Sequence, residues 1–402
     1  MSQPISQSDR IEVLDIFRGF AVFGIFVVNI EIMNCAFPNQ EGFGSQWNRD
    51  IDLFIFRVQQ LFFYSKFFPI FSFLFGLGIS MQALKIGQSN SQGIHFFLRR
   101  MCFLFMVGLF HILFLWNGDV IHLYAILGLL ILIILPLPNR WILIFSVVTL
   151  LFPFYEPIAF WFFNILNFSP ETFLESYPSE KITQILRNGP YIDSIKFRVH
   201  EYLANIPLLF TYLAPLAFGM FLLGVFFGKN QIQKDLKNFI STTKKAMIIL
   251  MIISNLYRVF FIFFLPNTSI YRDEVLRPIL FKIMYLSDLY FGLFYLWLLA
   301  YLWHFTSMKK WLSPLQYPGR MALTNYLMQS VFGLTIFSSS GFQLYEKLSP
   351  PQTFLVAIFI FIIQLIYSKA WLKYFQFGPV EWLWRCFSYK KLIPNRKSVP
   401  RV

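Results

Sequence analysis

A histidine and an aspartate separated by a tight turn, His111 and Asp119, are the residues of this sequence best suited to acid–base chemistry. His111 lies toward the end of one apolar stretch, and Asp119 follows directly after Asn117 and Gly118. A short turn brings two such side chains within hydrogen-bond reach, and a carboxylate that orients an imidazole favours its action as a general base. Each also has a structural interpretation, in which Asp119 caps the next helix and His111 is an ordinary buried histidine.

A second group of polar residues lies within two of the apolar stretches, near residues 14–36 and 96–116. Asp15, Arg18 and Asn29 fall within an arc of about 60° on one helix, and about 21 Å of helix axis separates Asp15 from Asn29. Arg100 and His111 return to one face of another helix, about 16 Å apart. Such polar groups normally face the helix bundle or a wet cavity. Structurally, Arg18 would instead snorkel, Asp15 would cap its helix, and Asn29 would join two helices.

Three further polar residues are candidates for contact with a substrate. Tyr124 lies in the first turn of the helix that follows Asp119. Asn325 and Gln329 are one turn apart and share a face of a helix that opens after Pro318. The five histidines show no metal-ligand spacing, and the sequence contains no glycine-rich phosphate loop. We therefore predict no metal site.

The composition indicates the class of protein in which these residues must be positioned. The 402 residues are 57% hydrophobic, 20% aromatic and 13% charged, whereas a soluble domain carries about 25% charged residues. Apolar runs of about 20 residues recur and alternation at period two does not, which predicts an all-α polytopic membrane bundle and not a barrel. The net charge of +14 comes from short basic segments between the runs, where topology signals lie, so we expect no nucleic-acid partner.

The hydrophobic runs predict about ten transmembrane helices in a single integral-membrane domain that covers residues 1–402. Helices 1–5 fall in residues 10–164, an extracytoplasmic loop covers 165–204, and helices 6–10 with a juxtamembrane helix fall in 205–389. Lysine and arginine are concentrated at both termini and in the even-numbered connections, which predicts cytoplasmic termini. The predicted spans are 14–36, 66–84, 96–116, 119–137, 141–164, 205–228, 246–265, 278–303, 321–340 and 352–372.

Five successive segments carry a resemblance to a known family. They are "LDIFRGFAVFGIFVVNI", "FFPIFSFLFGLGISM", "RRMCFLFMVGLFHILFLWNGDVIHLYAILGLL", "GRMALTNYLMQS" and "FGPVEWLWRC". Together they resemble the signature segments of the YeiB-like family, a group of bacterial inner-membrane proteins catalogued as a domain of unknown function. The resemblance extends from about Arg10 to Tyr389, and it implies a multi-pass protein of the bacterial inner membrane.

The YeiB-like proteins in turn resemble the wider transmembrane acyltransferase superfamily, which includes sugar O-acetylating enzymes and the heparan glucosaminide N-acetyltransferase. This resemblance implies an acyl-CoA bound from the cytoplasm and an acceptor modified on the far side. Asp15, Arg18 and Asn29 align with polar positions in the first helix of the heparan-type enzymes. Those enzymes carry a catalytic histidine in the loop after that helix, whereas this sequence has no histidine between Asn29 and His95. Either His111 takes that role from another helix, or this branch has lost acetyl transfer.

The residues and the resemblance together suggest an integral-membrane acyltransferase that moves an acyl group from cytoplasmic acyl-CoA to an extracytoplasmic cell-envelope glycan or lipid. In this hypothesis Arg18 and Arg100 bind the phosphates of CoA with Asp15 and Asn29, because guanidinium pairs with phosphate bidentately. The alternatives are a transporter or flippase of an anionic metabolite or lipid, and a non-catalytic membrane scaffold. We expect no permanently bound cofactor and contact with membrane lipids. A homodimer is compatible with the sequence but is not specified by it.

Overall fold

The regular structure is α-helical. The computed structural model describes residues 10–86 and 91–397, and within them the only β-type pairing is an isolated bridge between Phe375 and Arg396. The helices are α1 Glu12–Asn34, α2 Gln40–Ser45, α3 Asp50–Phe62, α4 Phe67–Ile86, α5 Ser91–Phe114, α6 Ile121–Ile134, α7 Asn139–Leu151, α8 Tyr155–Ile165, α9 Ser179–Asn188, α10 Tyr191–Ala204, α11 Ile206–Leu208, α12 Ala214–Lys229, α13 Leu236–Val259, α14 Leu276–Phe305, α15 Lys309–Leu312, α16 Gln316–Arg320, α17 Ala322–Phe337, α18 Pro350–Tyr374 and α19 Pro379–Tyr389. The predicted all-α polytopic bundle is confirmed.

Short irregular helices join several of these elements. Two π-helical turns, Leu209–Leu213 and Phe260–Phe264, join α11 to α12 and extend α13. The 3₁₀ helices are Phe37–Asn39, Pro170–Leu174, Ile232–Lys234, Leu265–Asn267, Ser269–Arg272 and Ser313–Leu315.

Seven helical segments in the described part of the chain are long and apolar enough to cross a membrane, or eight if one bent pair counts as a span. The seven are Glu12–Asn34, Asp50–Lys85, Gly93–Phe114, Ile206–Lys229, Leu236–Asn267, Leu276–Phe305 and Pro350–Tyr374. Each of the ten predicted spans coincides with helix, but α6 has only 14 residues and α17 only 16. The number of ten and the cytoplasmic position of the termini stay predictions.

The predicted span 141–164 is two helices and not one. α7 ends at Leu151, α8 begins at Tyr155, and the two are bent by 77°. Pro153 lies in the break. Because proline has no backbone N–H and disfavours helical backbone in the residue before it, a helix ends here at little cost.

Close helix packing sets the position of the polar residues. α5 and α6 form a hairpin in which a Cβ added to Gly108 would lie 2.4 Å from the backbone nitrogen of His122. α1 packs against α16, α17 and α18. At the first of these contacts a Cβ on Gly319 would lie 1.8 Å from the carbonyl oxygen of Asp15. Only glycine permits these two approaches of backbone to backbone.

A buried ionic cluster joins α13, α14 and the residue that precedes α4. Oδ1 of Asp288 on α14 lies 2.8 Å from Nζ of Lys66, which precedes α4, and 2.8 Å from Nε of Arg258 on α13. Lys66 and Arg258 have no exposed surface, and Asp288 is 7% exposed. Lys66 also donates to the carbonyl oxygens of Gln60 and Tyr64. Two cations therefore share one carboxylate within the bundle.

Candidate active site

The carboxylate of Asp119 is the centre of a buried hydrogen-bond chain. Its Oδ1 accepts from the backbone N–H of His122 at 3.0 Å, which caps the first turn of α6. The same oxygen lies 2.8 Å from Nδ1 of His122, and Oδ2 lies 2.8 Å from Nδ1 of His111. His111 is 0% exposed, and the other two residues are each 3% exposed. The carboxylate of Asp119 thus contacts both the first turn of α6 and the ring of His111, and its role in catalysis stays a prediction.

The chain continues from each histidine to a hydroxyl group. An ionised carboxylate only accepts hydrogen bonds, so each neutral histidine carries its proton on Nδ1 and accepts at Nε2. Nε2 of His111 lies 2.7 Å from Oγ of Ser330 on α17, and Nε2 of His122 lies 2.8 Å from the hydroxyl of Tyr202 on α10. Ser330, His111 and Asp119 therefore have the connectivity of a serine–histidine–aspartate triad.

Ser330 borders a small cavity of about 60 Å³, which we call the serine cavity. Its other lining residues with polar side-chain atoms are Trp116, Asn117, Arg198, Glu201, Ser338 and Tyr345. The side-chain amide of Asn117 donates to Oε2 of Glu201 at 2.8 Å. Burial raises the pKa of Glu201 to about 7, although the hydrogen bond from Asn117 opposes this effect. A group that titrates near neutral pH therefore faces the same cavity as Ser330.

A second cavity, of about 200 Å³, is the arginine cavity. Five guanidinium groups and two carboxylates line it, so its walls carry a net positive charge. These charged residues are Arg10, Arg18, Arg100, Arg320, Arg385, Asp15 and Glu381.

Both carboxylates of the arginine cavity are already engaged. Asp15 pairs with Arg10 and, at 3.1 Å, with Arg18. Glu381 on α19 accepts from the backbone N–H groups of Leu323 and Thr324 at 2.7 and 3.1 Å, and so caps the N-terminus of α17.

Three of the arginines of this cavity, Arg100, Arg320 and Arg385, form no salt bridge with an acid of the described residues. Arg100 lies over the ring of Trp384, with 3.4 Å between its guanidinium carbon and the ring centroid. Nε of Arg320 is buried and has no hydrogen-bond partner. A buried guanidinium nitrogen that lacks a partner is costly, which favours an anionic ligand in this cavity.

Most of the residues predicted from the sequence as functional border these two cavities or the hydrogen-bond chain. Tyr124 borders the arginine cavity, and its hydroxyl lies 2.6 Å from Oγ of Ser72. Asn29 is half-buried on α1 and is absent from the lining of both cavities.

Asn325 and Gln329 line neither cavity, because their side chains are taken up by packing between helices. Nδ2 of Asn325 donates to Oγ of Ser368 on α18 at 3.1 Å. Nε2 of Gln329 donates to Gln364 on α18 at 2.9 Å and to the carbonyl of Val22 on α1 at 3.2 Å. Their predicted contact with a substrate therefore stays a prediction that this geometry does not favour.

Sequence reasoning missed several residues of the site. Ser330 ends the segment "GRMALTNYLMQS", one turn after Tyr326, and a lone serine in that position is an ordinary feature of a membrane helix. Tyr202 lies in the segment between predicted spans and carries no motif. Among the described residues no group of three or more His, Cys, Asp or Glu side chains is arranged to hold a metal ion.

Comparison with known proteins adds a family. Residues 227–391 match the model of the family described as protein of unknown function (DUF418). The chain is similar to uncharacterized protein YxaH of Bacillus subtilis (strain 168), with 27% identity over 98% of each chain. It is also similar to the uncharacterized 39.9 kDa protein in the amylase 3′ region of Bacillus acidopullulyticus, with 29% identity over 97% of each chain.

A third relative carries the name of the family expected from the sequence. Uncharacterized protein YeiB of Escherichia coli (strain K12) is 25% identical over 98% of this chain and 100% of its own length. These matches confirm the predicted resemblance to the YeiB-like family of proteins of unknown function.

Proposed function

We propose that this protein is an acyltransferase of the bacterial inner membrane, which moves an acyl group from cytoplasmic acyl-CoA to an extracytoplasmic glycan or lipid of the cell envelope. The observation that carries the proposal is the chain Ser330–His111–Asp119, with 2.7 and 2.8 Å between its members. The same connectivity recurs on unrelated folds, where it performs acyl transfer. The fold alone implies no reaction, so the proposal rests on this geometry.

The arginine cavity supports CoA as the donor. CoA carries several phosphate oxygens, and guanidinium groups bind such oxygens bidentately through a rigid fork of N–H donors. Arg18 and Arg100 supply that fork in a cavity with net positive charge, and Asp15 holds Arg18 in place. The free Nε of Arg320 offers a further donor.

The α5–α6 hairpin carries residues of both the proposed donor site and the proposed catalytic site. Arg100 on α5 and Tyr124 on α6 border the arginine cavity, whereas His111 and Asp119 lie where the two helices meet at the turn. The phosphates of the donor would bind at the arginine end, and its thioester would reach toward His111. The acceptor would enter through the serine cavity, which is bordered by residues of the predicted extracytoplasmic loop.

A transporter of an anionic metabolite or lipid is the second candidate, since the arginine cavity would serve it equally well. The two functions differ in what they require of His111. Transport through an anion site does not need the proton acceptor at Nε2 of His111, whereas acyl transfer loses about 10²- to 10⁴-fold in rate without it.

Binding of CoA to the purified full-length protein in detergent tests the donor. Replacing Arg18 or Arg100 by alanine removes charge-assisted hydrogen bonds worth about 1.5–3 kcal/mol each, so we expect about 10- to 100-fold weaker binding. The matched control is Arg99→Ala. Arg99 is next to Arg100 but donates to the carbonyl of Ser388 and does not line the cavity. If both cavity variants bind acetyl-CoA as tightly as the control, the cavity is not the CoA site.

A transfer assay separates the two candidate functions. Membranes that contain the protein are given labelled acetyl-CoA, and label in extracted glycans and lipids is measured. We expect transfer that disappears in His111→Ala while CoA binding remains. Binding of CoA without transfer in any fraction would favour the transporter.

A further inference from the structure

We infer that Ser330 is a covalent nucleophile, which carries the acyl group as an ester between donor and acceptor. This inference rests on the proposed acyl transfer and adds a covalent intermediate to it. If His111 acted only as a general base, the acyl group would move directly from CoA to the acceptor. The inference assigns a chemical role to Ser330, which the sequence did not single out.

The position of the hydroxyl carries the inference. Oγ of Ser330 lies 2.7 Å from Nε2 of His111, which is the nitrogen left without a proton when Nδ1 donates to Asp119. The general base is therefore already hydrogen-bonded to a serine of the same chain. An acceptor that was to lose its proton directly to His111 would first have to displace this hydroxyl. Nucleophile, base and orienting carboxylate are each within hydrogen-bond distance of the next.

The serine cavity supplies room and polar groups for an acyl carbonyl. Its volume of about 60 Å³ holds only a few water molecules, so it admits a short acyl group such as acetyl. Asn117 and Arg198 border it and carry N–H donors, which in this structure bond Oε2 of Glu201 and the carbonyl oxygen of Leu113, respectively. Such donors stabilise the negative charge that develops on a carbonyl oxygen during acyl transfer.

The first step joins the acyl group to the serine. Oγ of Ser330 attacks the thioester carbonyl carbon of acyl-CoA while Nε2 of His111 takes the hydroxyl proton. The carbon–sulfur bond then breaks, the proton passes from Nε2 to the leaving sulfur, and free CoA is released. Ser330 is left as an O-acyl ester, and no electrons are gained or lost.

The second step reverses the roles. A hydroxyl or amine of the acceptor attacks the ester carbonyl carbon and gives its proton to Nε2 of His111. The bond from that carbon to Oγ of Ser330 breaks, and Oγ recovers the proton from Nε2. The acceptor leaves as an ester or amide, and the triad returns to its starting state.

A hydrogen bond between a buried serine and a buried histidine also occurs where it only joins two helices. The experiment must therefore detect reactivity and not stability. Ser338 provides a matched control, because it borders the same cavity but its Oγ accepts from the backbone N–H of Ser340 and contacts no histidine.

The test treats the purified full-length protein in detergent with methanesulfonyl fluoride, a serine-directed probe of about acetyl size. Mass spectrometry of the digested protein locates the adduct. We expect sulfonylation of Ser330 in the wild type and in Ser338→Ala, none at that position in Ser330→Ala, and at least about 100-fold slower reaction in His111→Ala. In parallel, protein incubated with acetyl-CoA and quenched in acid should carry a hydroxylamine-sensitive acetyl group on Ser330.

The outcomes distinguish failure of the nucleophile from failure of the donor. Sulfonylation of Ser330 without acetylation by acetyl-CoA supports the nucleophile and counts against CoA as donor. Absence of both adducts in protein that elutes as a folded species overturns the inference. If such protein still transfers acetyl groups in a reaction that needs His111, the proposed function stands and the acyl group moves directly to the acceptor.

Discussion

The carboxylate of Asp119 holds the imidazole of His111 from across the α5–α6 turn, with 2.8 Å between Oδ2 and Nδ1. Neither side chain has exposed surface, so no water competes for this hydrogen bond. The other oxygen of the carboxylate is occupied by the ring and the backbone N–H of His122. Because an ionised carboxylate only accepts hydrogen bonds, a neutral His111 carries its proton on Nδ1.

The Asp119→Asn variant tests whether this tautomer matters. The amide keeps the shape of the side chain and still caps α6, but its NH₂ group cannot accept from a histidine N–H. If the NH₂ group faces His111, the ring must move its proton to Nε2 and loses its acceptor for Ser330. We expect labelling of Ser330 by methanesulfonyl fluoride to slow by about 10²- to 10⁴-fold, with the melting temperature in detergent little changed.

The Tyr202→Phe variant is the control for this effect. It removes the hydroxyl that bonds Nε2 of His122 and leaves His111 and Ser330 untouched. Labelling of Ser330 should change by no more than a few-fold. Equal slowing in both variants would mean that the whole buried chain, and not the orientation of His111, controls the serine.

The sequence predicts those parts of the site that depend on local spacing. His111 and Asp119 flank a turn, so their contact follows from the geometry of a helix hairpin, and the helical faces of Arg18 and Arg100 follow from the period of 3.6 residues. Ser330 contacts His111 across 219 residues of chain. Which face of α17 meets α5 is decided by tertiary packing, and no local pattern encodes it.

Two further features of the structure differ from the sequence prediction: the membership of the arginine cavity and the break within the predicted span 141–164. Arg320 and Arg385 join the arginine cavity because α16 and α19 pack against its walls, and the approach of Gly319 to α1 sets the place of Arg320. Pro153 explains the break in the predicted span 141–164, which resembles one continuous span because apolar residues lie on both sides of the proline.

Glu201 predicts a pH dependence of stability. Burial raises its pKa from 4.5 to about 7 in the folded protein. Between these two values the folded state holds a proton that the unfolded state releases, so stability falls as pH rises from about 4.5 to about 7. The contribution is at most on the order of 3 kcal/mol.

Glu201→Gln should flatten this part of the profile of stability against pH and should be more stable than the wild type above pH 7. Thermal unfolding in detergent at several pH values checks this, and parallel profiles would contradict it.

The ionic cluster of Lys66, Arg258 and Asp288 predicts that loss of its carboxylate costs more stability than loss of one of its cations. Asp288→Asn leaves Lys66 and Arg258 as two buried cations without a counter-charge, and we expect a loss of about 3–5 kcal/mol. Lys66→Met instead leaves a neutral pair of Arg258 and Asp288, and the methionine fills most of the volume of the lysine. It should cost clearly less, although it frees two carbonyl groups. Melting temperatures in one detergent compare the two, and a larger loss in Lys66→Met would show that those carbonyl bonds outweigh the charge balance.

Gly319 links the packing of α16 to the arginine cavity. In Gly319→Ala the new Cβ would lie 1.8 Å from the carbonyl oxygen of Asp15 and 2.7 Å from the backbone nitrogen of Gly19, so α16 must move away from α1. This displaces Arg320 relative to Asp15 and Arg18, and we expect at least about 10-fold weaker binding of acetyl-CoA. No residue of α16 lines the serine cavity, so methanesulfonyl fluoride should still label Ser330 at nearly the wild-type rate. Gly42→Ala is the matched control, because nothing lies within 4 Å of a Cβ at that position.

If Gly319→Ala lost binding and labelling together, the substitution would have disturbed the whole bundle, and Gly319 could not be used to separate donor binding from the chemistry at Ser330.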